Sequence, residues 1–151
     1  MEPTRLVVDQ DVPNSRETIL RLLIDYNLRN APEPNYQLLG ILLKDDTGRT
    51  IGGLWGRSAY EWLFVELLFV PEELRGQGLG TSLIRQAEEI ARERHCTGVW
   101  LDTFDFQALP FYQKLGYTIF GELKDHPRGI SQYWLQRRLD TESHQPTTIP
   151  A

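Results

Sequence analysis

Between a proline and a long amphipathic run, the chain reads Arg75-Gly76-Gln77-Gly78-Leu79-Gly80. Glycine at every second position lets a backbone curl tightly and lie close to a bound group, because no Cβ stands in the way. If a strand precedes and a helix follows, the unpaired N–H groups of the first helical turn point to the same place, and the helix dipole favours an anion there. The spacing therefore predicts a cradle for a pyrophosphate. Two common phosphate binders are excluded. No Lys-Ser or Lys-Thr follows the glycines, as a nucleotide P-loop requires, and their even spacing is not the Gly-x-Gly-x-x-Gly of a dinucleotide site.

Read with its surroundings, Val70-Pro71-Glu72-Glu73-Leu74-Arg75-Gly76-Gln77-Gly78-Leu79-Gly80 resembles the acetyl-CoA signature of the GNAT N-acetyltransferases. That signature is Arg or Gln, two residues, Gly, one residue, Gly or Ala, filled here by Arg75, Gly78 and Gly80. Ala108 to Tyr117 resembles the family's second signature, a small residue, then a Phe-Tyr pair (Phe111, Tyr112), then a Gly-aromatic pair (Gly116, Tyr117). The resemblance spans roughly residues 5–139. It implies acetyl-CoA as the acyl donor, transfer to an amine, and a possible homodimer. It further implies that the backbone of Leu68, Phe69 and Val70 pairs with the pantetheine arm and polarises the acetyl carbonyl. Arg75, Gly76, Gln77, Gly78, Leu79, Gly80 and Thr81 would hold the pyrophosphate, and Tyr112 would give a proton to the departing thiolate. The sequence departs from the family at Asp105, where an Asn often helps to hold the pantetheine.

Acetyl transfer to an amine needs the amine neutral, yet near pH 7 only on the order of one lysine-like amine in a thousand is so. A base is therefore expected. Glu66 is the only ionisable residue in the apolar stretch Trp62-Leu63-Phe64-Val65-Glu66-Leu67-Leu68-Phe69-Val70, so it is expected to be partly buried or to face a cavity. Burial raises a carboxyl group toward the range a base needs. If no bulge intervenes, Trp62, Phe64, Glu66, Leu68 and Val70 share one strand face. Asp102 is the rival base, or a partner through water. Tyr26, Tyr36, Trp55, Tyr60, Trp62 and Phe104 are candidates for an aromatic wall that receives a cation; His126 reads as a surface residue and Lys114 as a solvated one.

These residues need elements to hold them. Strands are expected at Arg5–Val8, Tyr36–Lys44, Thr50–Ala59, Trp62–Val70, Gly98–Thr103, Tyr117–Leu123 and Ser131–Leu139, from apolar runs bounded by turn residues. Helices are expected from Asn14, with Glu17 completing a capping box, from Leu79, and at Gln107–Leu115. Gly52, Gly53 and Gly56 mark a bulge or a close approach to the backbone. The order gives an α/β (α+β) fold around one mixed sheet, and the resemblance implies a single GNAT-like domain, residues 1–139, with a central, mostly antiparallel sheet of about six to seven strands and three to four flanking helices. Residues 140–151 read as a polar tail.

Composition narrows the partners. A net charge of −5 gives no basic face for nucleic acid, and no apolar run is long enough to span a membrane. The lone Cys96 leaves no disulfide framework and no multi-cysteine zinc site; no metal is expected, and a reducing, cytoplasmic location is the default. The expected activity is an N-acetyltransferase that acts on a small-molecule amine. Its rivals are acetylation of a protein lysine or N-terminus, and a non-catalytic acyl-CoA sensor.

Overall fold

The computed structural model describes residues 2–141, so residues 142–151, most of the expected tail, lie outside the described part. The chain divides after Pro34 into two compact units. The first holds helix α1, Val12–Asn30. It begins two residues before the expected Asn14, because Pro13 fits a first turn where its missing N–H costs nothing. Asp11 takes the cap position, and Asn14 donates to its Oδ2 at 2.7 Å instead of capping. The apolar positions Ile19, Leu22, Leu23 and Tyr26 are all exposed. Residues 5–8 form no strand, and Leu6, Val7 and Val8 are exposed. A strand persists only through the ladder it makes with a partner, and four residues carry none of their own.

The second unit is built on six strands: β1 (Gln37–Lys44), β2 (Thr50–Ala59), β3 (Trp62–Phe69), β4 (Gly98–Phe104), β5 (Thr118–Leu123) and β6 (Gln132–Arg138). They lie in the order β1-β2-β3-β4-β6-β5. Helix α2 (Leu79–Glu93) connects β3 to β4, the one parallel pair among the described residues; a crossover of this length is what a parallel pair requires. The short helix α3 (Leu109–Lys114) follows β4. Fold class and family resemblance therefore agree with the mixed sheet observed.

One face of the sheet carries the core. Leu39, Leu54, Leu63, Val65, Val99, Leu101 and Leu135 are buried with Leu83, Ile84, Ala87 and Ala91 of α2. Cys96 is buried beside them, and desolvation pushes its thiol up, as suits a packing residue. The stretch from Trp62 to Val70 is not covered on both faces as its composition suggested: only Leu63 and Val65 of β3 are buried, while Glu66, Leu67 and Phe69 are exposed.

The cause is a bulge. Trp55 pairs with Leu67 and Gly56 with Val65, which leaves Glu66 as an extra residue in β3. Trp62 and Phe64 therefore lie on the face opposite the core, whereas Leu68 and Val70 pack against the core, and the shared face expected for all five residues is broken at Glu66. Gly56 is the glycine this geometry needs. A Cβ there would lie 2.2 Å from the Phe64 carbonyl oxygen, so what approaches this backbone is the neighbouring strand.

Candidate active site

The bulge also ends a pairing. β3 and β4 run side by side only from Trp62 opposite Gly98 to Val65 opposite Leu101. Beyond that point the strands part, and the gap between them is a cleft of about 870 Å³. Val65 to Val70 line one wall, Asp102 to Phe104 with Phe106, Gln107 and Ala108 line the other, and Leu74, Arg75, Gly76, Gly78, Leu79, Gly80 and Thr81 close one end. Phe111 and Tyr112 complete it from α3. On its β4 side the backbone from Glu66 to Val70 has no strand partner among the described residues, so its polar groups, apart from the Val70 carbonyl, are open to the cleft.

The glycine run turns as its sequence predicts. Gly76 and Gly78 have φ of +83° and +82°, and Gly78 is the N-cap of α2. A Cβ on either would meet nothing within 4 Å. The glycines are there for conformation, and the space beside them is available to a ligand; a pyrophosphate fits such a backbone cradle. Gly80 serves packing instead, since its Cβ would stand 3.2 Å from the Phe111 ring. Arg75 donates from Nε to the Val70 carbonyl at 2.9 Å, and its guanidinium lies 5.9 Å from the Phe69 ring centroid. It thus holds the loop against the end of β3 and brings the one basic side chain to the cleft. Gln77 is exposed and is not part of the lining.

Glu66 lines the cleft, but the expected burial is absent. Its side chain is 42% exposed, and Arg57 Nη1 donates to its Oε2 at 2.9 Å. Asp102, half-buried, accepts from Gln132 Nε2 at 3.2 Å. Tyr112 is buried, and its phenol is pushed up to about 12, first by desolvation and then by the Asp102 carboxylate. Asp105 is not in the lining; its Oδ2 accepts the Ser131 N–H at 3.0 Å and ties the two loops together. Lys114 is exposed and also outside the lining.

The aromatic wall is not assembled. Of its expected members in this unit only Phe104 lines the cleft, whereas Tyr36, Trp55, Tyr60 and Trp62 do not; Tyr26 belongs to α1. Phe104 stacks instead on Phe106, with centroids 5.3 Å apart, and meets His126 edge-on at 5.6 Å. Phe106 gave no sequence signal, because an isolated Phe after a strand reads as core. Gln107 carries no such signal either. Its Oε1 accepts the Phe104 N–H at 3.0 Å and the Thr103 hydroxyl at 3.3 Å, which fixes the cleft wall.

Comparison with known proteins follows the same lines. The model of the acetyltransferase (GNAT) family matches residues 7–117. The chain is 42% identical over 117 residues to an acetyltransferase of Agrobacterium fabrum, covering 78% of this chain and 85% of the relative. It is 43% identical over 95 residues to the blasticidin-S acetyltransferase of Streptomyces morookaense, covering 62% and 70%. A crystal structure of an acetyltransferase from Bacillus cereus superposes with a TM-score of 0.81 at 31% identity, covering 90% of this chain and 98% of that one.

Proposed function

The chain belongs to the GNAT family of acetyltransferases, and we propose that it moves an acetyl group from acetyl-CoA directly to a primary amine of a small molecule, with a carboxylate as base. One observation carries this: a single cleft is lined by the glycine turn before α2, by Glu66 and Asp102, and by the buried Tyr112. The likeness to a blasticidin-S acetyltransferase supports a small-molecule acceptor.

Bound acetyl-CoA would supply the thioester, whose carbon–sulfur bond is exchanged for a carbon–nitrogen bond. The first turn of α2, Gly76, Gly78 and Arg75 would hold the pyrophosphate. The open backbone of Leu68 to Val70 would pair with the pantetheine and offer N–H groups to the carbonyl oxygen as it gains charge. Glu66 would take the amine's proton, directly or through water. Delivering a lysine-like amine as the free base at pH 7 costs about 4.6 kcal/mol, and a positioned base offsets part of that. Tyr112 would donate a hydrogen bond to the departing sulfur.

The test is thiol release from acetyl-CoA across a panel of small amines and one lysine peptide, with Glu66→Gln and Tyr112→Phe alongside. Turnover of small amines, lowered about 10²-fold or more in Glu66→Gln, is the expected result. Full activity of Glu66→Gln would remove Glu66 as the base, and turnover of the peptide alone would move the acceptor to proteins. Cofactor binding without turnover of any amine would leave a sensor.

A further inference from the structure

The point where the sheet forks carries an arrangement of charge that acetyl transfer by itself does not require. Val65 and Leu101 are the last paired residues of β3 and β4. Glu66 and Asp102 come next on their strands, so two carboxylates flank the opening, and both line the cleft. Two carboxylates lining one opening repel each other and favour a cation near them. Arg75, the only other charged residue of the lining, is bound to the Val70 carbonyl, just beyond the end of β3.

One cation is built in. Arg57, opposite Phe64 on β2, bonds Glu66 Oε2 at 2.9 Å. Its guanidinium lies 4.9 Å from the Phe64 ring centroid, and that ring stacks on Trp100 with centroids 3.9 Å apart. The stack holds Arg57 in place at the fork. Among the described residues, the donor that Asp102 meets is the neutral Gln132. The fork therefore sets two carboxylates against one guanidinium, which leaves a single negative charge for an incoming acceptor.

We infer that Arg57 is a specificity-determining residue: it sets the charge of the accepted amine, so that the fork receives a small amine with one ammonium group and rejects a short diamine, whose second ammonium would meet the guanidinium. The inference rests on the transfer reading only in placing the acceptor at this end of the cleft. Butylamine and 1,4-diaminobutane have similar reach and differ by one charge. Their binding to the CoA-loaded protein, by calorimetry, reads the effect without requiring turnover.

Wild type should bind butylamine about tenfold more tightly than the diamine. Arg57→Gln keeps a donor without the charge and should shift that ratio about tenfold toward the diamine. Arg57→Lys should keep the wild-type preference. Arg57 is outside the lining and partly exposed, so the affinity for CoA should stay constant across all three proteins and report intact folding. Equal or tighter binding of the diamine by wild type overturns the inference. So does an unchanged ratio in Arg57→Gln, or failure of both amines to bind. Acetylation of both amines at equal efficiency would remove the charge selection and leave the transfer reading standing.

Discussion

Tyr112 shows how much one buried hydroxyl constrains the chemistry. With its phenol raised to about 12, it keeps its proton throughout the neutral range. A thiol of ordinary pKa, about 8.5, lies about 3.5 units lower, so handing the proton outright to a free thiolate would cost about 5 kcal/mol. Its expected service is thus a hydrogen bond that strengthens as charge gathers on sulfur, with the amine supplying the proton. The same shift predicts a stability profile. An unfolded tyrosine loses its proton near pH 10, whereas the folded one holds it to about 12. Between those values the unfolded state binds fewer protons, so stability falls as pH rises. The contribution is complete below pH 10, and about 3 kcal/mol is lost across the window. Urea denaturation of wild type and Tyr112→Phe between pH 9 and 11.5 should give the variant a flatter alkaline decline by about 2 kcal/mol, the part of the window those pH values cover. Parallel curves would show that the phenol titrates normally.

At the level of elements, the cleft depends on α2 being held to the far strands, and a buried carboxylate does that. Glu88 of α2 is 1% exposed and accepts from Arg85 at 2.8 Å, from Arg137 of β6 at 2.7 Å and from the Tyr117 hydroxyl at 2.8 Å. Arg85 also donates to the Leu115 carbonyl at 3.2 Å, just beyond α3. Removing the carboxylate takes a charge partner from two guanidiniums, Arg85 and Arg137, and the acceptor from a buried hydroxyl. Glu88→Ala should therefore cost about 3–5 kcal/mol by urea denaturation, and a loss near zero would mean that the cluster is solvated. None of this was legible in the sequence, where Glu88 is one of several charges in an amphipathic helix. The same holds for the ion pair of Arg57 with Glu66. The turn of the glycine run was legible because it depends on local spacing, and the place of Tyr112 in the cleft followed from the resemblance of residues 108–117 to a family signature. An ion pair across a hairpin depends on register, and a single extra residue in β3 re-aims every side chain after it. The strand expected at residues 5–8 failed for a related reason: apolar composition specifies a strand only where a ladder exists to receive it.

Over the whole molecule, binding and stability are one measurement. A ligand that binds only the folded chain adds RT ln(1 + [L]/Kd), so acetyl-CoA at about a hundred times its Kd should add about 2.7 kcal/mol. For a chain of this size that is a rise in Tm of about 5–10 °C. Gly78→Val separates the two contributions. Its φ of +82° is costly for any residue with a Cβ, about 1–2 kcal/mol or more for a branched one, so the ligand-free protein should melt a few degrees lower. The added side chain would also stand in the open space beside the cradle, where a phosphate must come to reach the first turn of α2. Thermal melts with and without acetyl-CoA should then show a lower baseline and no increment in the variant, whereas Tyr112→Phe keeps most of the increment because it acts at the sulfur. A full increment in Gly78→Val would sink the cradle, and with it the assignment of the donor's phosphates to this turn.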